Sequence, residues 1–136
     1  MAAYLVDTDV IVAARKGSGA PARVQDFFGR VAPEARYVPV QVIAQLRAGI
    51  QRSWQREATL EALALEAWLE ALLADYAARL LEFDLDCALV CGRLHGHGAG
   101  VDAQIAAMGI AYGLTVVSGR LDSFAAQGLR VENPFA

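Results

Sequence analysis

The stretch YLVDTDVIVAARKG, residues 4–17, runs three apolar or aromatic positions straight into two aspartates, Asp7 and Asp9, split by Thr8. A short continuous apolar run over residues 3–8 reads as a strand buried on both faces. Carboxylates at the end of such a strand have two readings. Asp and Thr cap helix N-termini, because a side-chain oxygen accepts from backbone N–H groups left free in the first turn. They also serve chemistry, because open parallel sheets bind ligands beyond the carboxyl ends of their strands. The rest of the chain bears on which reading holds.

Downstream, residues 21–31 place Val24, Phe27, Phe28 and Val31 at helical spacing after a Ser-Gly-Ala-Pro turn, which predicts an amphipathic helix. RYVPV, 36–40, reads as a second strand, and 40–50 as a helix with Leu46 and Ile50 on its stripe. An Ala/Leu/Glu run predicts a long helix over 57–83, with a third strand near 80–83. Residues 84–98 read as a helix ending in a Gly-rich loop. Residues 101–113 read as a helix closed by Gly113, followed by strands at 114–119 and 129–133. Apolar strands alternating with helices imply a parallel sheet covered on both faces, with the first strand central. Asp7 and Ser118 then end neighbouring strands, and Asp102 lies in the first turn of the late helix. Two carboxylates from separate elements suit a hard divalent cation, which takes several oxygen ligands.

A chain of 136 residues is long enough for one core, and we expect a single domain over 1–136. No uninterrupted apolar stretch reaches membrane-spanning length, and no charged and then apolar leader opens the chain, so a cytoplasmic protein is expected. Cys87 and Cys91, four apart on a helix, suit reduced thiols. The net charge is −3, so nucleic acid can be held only by a local basic patch. Of the 12 basic residues, Lys16 is the only lysine. Arg15, Lys16, Arg47, Arg52 and Arg56 read by default as solvated, although a rim of arginines beside an acidic cleft suits phosphates or an acidic segment.

YLVDTDVI, then VPVQVIAQLRAGI, then the block from Asp102 to the terminal NPF resemble the PIN-domain ribonucleases, in particular the VapC-type toxins of bacterial toxin–antitoxin pairs. The resemblance runs from residue 4 to residue 135. It implies a three-layer α/β/α sandwich with a short, mostly parallel sheet, RNA as substrate, and Mg2+ or Mn2+ held by acidic side chains. Position by position it implies Asp7 and Asp102 as metal ligands. Thr8 and Asp9 flank the first acid, and Ser118 ends the fourth strand. It also implies an antitoxin protein partner, whose terminal segment offers a basic side chain to the cleft, and a homodimer.

Two positions depart from the family pattern. Gln45 stands where the family carries glutamate, and Arg120 where it carries Asn or Asp, with Asp122 two residues on either as a substitute carboxylate or as a surface residue. Gln45 keeps a carbonyl but removes a negative charge; Arg120 adds a positive one. A unit charge about 4 Å from another interacts by roughly 4 kcal/mol at an effective dielectric near 20, before desolvation. Weak metal binding and slow or absent RNA cleavage are therefore expected. In one alternative the chain is an inactive PIN domain that binds a partner or RNA. Arg47 and Arg120 are the expected contacts to RNA or antitoxin, with Thr8 and Asp9. A phosphotransferase using Asp7 as nucleophile and Asp9 as acid lacks the late lysine it needs. Zinc at Cys87, Cys91, His95 and His97 is disfavoured: eight residues of helix span about 12 Å, whereas ligand atoms on one zinc lie within about 4 Å of each other.

Overall fold

A computed structural model describes residues 2–94, 100–124 and 128–136. Five parallel strands, β1 (Tyr4–Val6), β2 (Arg36–Pro39), β3 (Leu80–Leu81), β4 (Thr115–Val117) and β5 (Val131–Glu132), form one sheet in the order β3-β2-β1-β4-β5. The first strand is central, as expected. Alternation of side chains along each strand splits the core in two. Val6, Val38 and Val117 join one cluster, with Val10, Phe27, Leu46, Ile50 and Leu69. Leu5 and Val116 join the other, with Cys87, Ile105, Met108 and Phe124. The first cluster is covered by α1 (Thr8–Ala14), α2 (Ala22–Arg30), α3 (Val40–Gln55) and α4 (Thr59–Asp75). The second is covered by α5 (Leu85–Arg93), α6 (Val101–Tyr112) and α7 (Leu121–Phe124). The fold is a three-layer α/β/α sandwich on a parallel sheet.

Several elements end elsewhere than their sequence suggests. The first strand stops at Val6, because Asp7 is extended and accepts from the Thr8 amide at 2.9 Å, starting α1. Neither α1 nor α7 was read from the sequence. Helix α3 continues five residues past 50, to Gln55, and Glu57 then turns the chain with a φ of 59°. The Ala/Leu/Glu run holds no breaker, yet α4 stops at Asp75. Arg79 donates to the carbonyls of Asp75 (2.9 Å) and Arg36 (3.0 Å), which pins the chain beside β2 and lets Leu80–Leu81 pair with Val38 and Pro39. Gly113, at φ 65°, closes α6 in the left-handed conformation expected of it. Cys87 is buried, Cys91 half-buried, and both are free. His95 and His97, weighed above as zinc ligands, lie outside the described residues. Among the described residues, no helix is long and apolar enough to cross a membrane.

Candidate functional site

The order in which strands are laid down switches sides between β1 and β4, since β2 and β3 lie to one side of β1 and β4 and β5 to the other. Crevices open at such switch points, beyond the strand ends. Asp7 follows β1 and Ser118 follows β4, and the Asp7 amide donates to the Val117 carbonyl at 2.9 Å. Both side chains are fully buried.

Asp7 caps a helix and also bonds across the switch point. Its Oδ1 caps α1 through the Thr8 amide. Its Oδ2 accepts from Ser118 Oγ at 2.8 Å and from Arg120 Nη2 at 2.8 Å. Asp102 does not cap α6; Gly100 holds the cap position and no side chain bonds there. Instead the Asp102 carboxylate is forked by Arg120, Oδ1 from Nη2 at 2.8 Å and Oδ2 from Nη1 at 2.9 Å. One nitrogen of Arg120 thus touches both acids. Burial disfavours charge on this guanidinium, but the hydrogen bonds and charges of Asp7 and Asp102 outweigh it and raise its pKa above the ordinary value. Ser118 is the hinge of this arrangement: it donates to Asp7 and its Oγ accepts from the Arg120 amide at 3.0 Å.

Asp9 holds the same loop from the other side. Its Oδ2 accepts from the Gly119 amide at 2.9 Å, while its Oδ1 is buried without a hydrogen-bond partner. Residue 119 must be glycine, since a Cβ there would lie 2.9 Å from both Asp9 Oδ2 and the Phe135 ring. Burial pushes the Asp9 carboxyl up, with Asp7 adding to it, against the Gly119 hydrogen bond, which pulls it down. A carboxyl raised on folding holds its proton more tightly in the fold. Its contribution to stability is therefore fullest below about pH 3.9, its unfolded value, and is lost as pH rises through the folded one. Asp9→Asn should accordingly stabilise the chain at pH 7, by at most about 1 kcal/mol, with the gain fading on acidification. Urea unfolding at both pH values measures this; a gain that persists at low pH would contradict it.

A cleft of about 530 Å3 opens here, lined by Gln45, Gly100, Asp102, Arg120, Asp122 and Ser123 among others. Gln45 Oε1 accepts from Thr8 Oγ, and Gln41 Nε2 donates to Gln104 Oε1 at 3.2 Å, joining α3 to α6. Nothing in the sequence signals that Gln41–Gln104 bridge, because two polar residues 63 apart carry no spacing rule. Asp122 faces the cleft from α7, and among the described residues no ion pair joins it to Arg120. Arg47 turns away from the cleft to pair with Glu66 at 3.3 Å, where Trp54 Nε1 also donates.

Chemically, Asp7 and Asp102 converge on one cationic centre. That donor set fits a hard divalent cation, provided the guanidinium that now takes both acids withdraws. Among the described residues, no three acidic, His or Cys side chains are grouped to hold a metal. The two carboxylates would be its protein anchors.

The PIN domain family model matches residues 4–123. A plasmid stability protein, StbB, of Pseudomonas syringae pv. tomato is 34% identical over 140 residues, covering 96% of this chain and 97% of that protein. Among solved structures, FitAcB from Neisseria gonorrhoeae is 26% identical with a TM-score of 0.75, covering 97% of this chain and 98% of that one. DNA-bound VapBC from Salmonella typhimurium, 23% identical with a TM-score of 0.71 over 98% and 99% of the two chains, shares the fold.

Proposed function

The chain belongs to the PIN-domain family, and from that premise we propose that it is a metal-dependent endoribonuclease, the toxin of a toxin–antitoxin pair. The observation that carries the reading is the approach of Asp7 Oδ2 and Asp102 Oδ1 to one nitrogen, each at 2.8 Å. Mg2+ or Mn2+ held by these two acids supplies electrophilic stabilisation of the charge that develops on a phosphodiester. The chain's own residues do the rest. Ser118 fixes the Asp7 carboxylate and Asp9 fixes the Gly119 amide. Gln45 and Asp122 stand on the walls as further oxygen donors. The compartment is the cytoplasm.

An antitoxin partner and a homodimer belong to the same reading. Leu85 (73% exposed) and Leu89 (54%) sit one turn apart on α5, and Leu60 (85%) opens α4. Apolar area of this kind calls for a protein cover. Co-expression with the product of the neighbouring small reading frame, followed by light scattering, reads both: monomer alone and no complex would remove them.

The second reading, a PIN domain that binds RNA or a partner without turnover, is favoured by the seated Arg120. A ribonuclease assay in Mn2+ separates the two. Slow cleavage by the chain, lost in Asp7→Ala and in Asp102→Ala, supports the enzyme. Asp102 is 35% exposed, so its variant keeps the fold if Asp7→Ala does not. Equal cleavage by all three proteins would move the activity elsewhere. No cleavage by the chain, even after Arg120→Asn, would leave the binding module.

A further inference from the structure

A second groove, of about 320 Å3, lies between α1, α3 and α4. Gln45 lines both it and the acidic cleft, so the two share a wall. Three arginines stand in it: Arg15, Arg52 and Arg56, with one carboxylate, Glu61. Arg56 is paired to Glu61 at 2.8 Å. Among the described residues, neither Arg15 nor Arg52 joins an ion pair. Elsewhere in the site the guanidiniums are spoken for, Arg47 by Glu66 and Arg120 by the two aspartates. Arg15 is also held in place: its guanidinium lies 5.6 Å over the Trp68 ring, a cation–π contact that keeps the fork ordered. In a chain of net charge −3, two exposed, unpaired guanidiniums in one concavity are a local basic patch.

We propose that this groove is the track for the RNA backbone beside the bond held in the cleft, with Arg15 and Arg52 each taking one phosphate. The proposal rests on the ribonuclease reading in one respect, that an RNA strand lies in the cleft. Two walls of that cleft carry Asp102 and Asp122, which repel flanking phosphates. A strand therefore gains by leaving over Gln45, where planar forks match phosphate oxygens two at a time. The strand is single, because a concave basic groove follows an unstacked backbone. An acidic peptide offers carboxylates to the same forks, but nothing in it is required to enter the cleft as well.

The test is fluorescence anisotropy of the full chain with a fluorescein-labelled single-stranded RNA in EDTA, across a KCl series. The double variant Arg15→Gln/Arg52→Gln should bind about 10- to 100-fold more weakly at low salt. Its salt slope should fall by about 1.4, roughly 0.7 for each phosphate lost. Arg23→Gln/Arg93→Gln carries the same charge change on exposed positions outside the groove, and should leave the slope unchanged. Equal slopes in the two double variants would overturn the proposal. So would polyglutamate binding that exceeds RNA binding and is lost with Arg15 and Arg52, which assigns the groove to an acidic peptide. The underlying reading fails differently. RNA binding that needs both arginines, with no cleavage in Mn2+, keeps the track and removes the enzyme; cleavage with the same KM in every variant keeps the enzyme and removes the track.

Discussion

Arg120→Ala should destabilise the metal-free chain by about 2–3 kcal/mol, and Mn2+ should give most of that back. Asp7 is wholly buried and Arg120 is its cationic partner at 2.8 Å. Removing one member of a buried pair strands the other, at a cost of about 3–5 kcal/mol when both are enclosed. Arg120 is 42% exposed, and Ser118 and Thr8 keep their hydrogen bonds to Asp7, so the loss should sit below that range. The variant frees both carboxylates for a divalent cation. At a concentration about 100 times its Kd, a cation bound only by the folded chain adds roughly 2.7 kcal/mol. The unsubstituted chain should show little such gain, because its cation is already covalently present. Thermal unfolding of both proteins, with and without Mn2+, reads four numbers. A metal-induced rise of equal size in both would show that Arg120 does not compete for the seat.

How much of this was written in the sequence varies residue by residue. The order of strands and helices was legible because apolar runs, Gly113 and the proline turns are local signals. The termination of α4 was not, since it depends on Arg79 reaching the carbonyl of Arg36, 43 residues away. Helix α1 was hidden by its own cap: Asp7-Thr8-Asp9 read as the end of a strand, and the helix beyond it is only 7 residues long. At the site, spacing and chain order pointed to Asp7, Asp102 and Ser118. That Arg120 adds charge nearby also followed from its place in VSGRLD. Its fork across two aspartates did not follow, because a side chain's reach to Asp102, 18 residues back, is set by how β4 and α6 pack. Asp9 is the opposite case: its carboxylate, expected at the RNA or antitoxin surface, turns inward to the Gly119 amide.

The other large effect comes from combining Gln45→Glu with Arg120→Asn. Gln45→Glu alone should tighten Mn2+ by about 10- to 100-fold, the scale on which groups supporting a metal site act, and cleavage should rise with it. The new carboxylate keeps an oxygen for Thr8 Oγ and turns another toward the cleft. Arg120→Asn should do more. A cation entering the present site must first break two charge-assisted hydrogen bonds from Arg120, each worth about 1.5–3 kcal/mol net, and its further ion contact with Asp102. Even with partial recovery in water, a gain of roughly 10^2- to 10^3-fold is expected, about 3–4 kcal/mol. The two changes should not add independently. With Arg120 in place, part of the charge introduced at position 45 is spent on the guanidinium; with it gone, all of that charge acts on the metal. The coupling should therefore be positive and exceed about 0.5 kcal/mol, outside the additivity expected of separate sites. Isothermal titration of the four proteins with Mn2+ closes the cycle. Additive effects would place Gln45 and Arg120 on different ligands, and no response to Gln45→Glu in either background would take Gln45 out of the site.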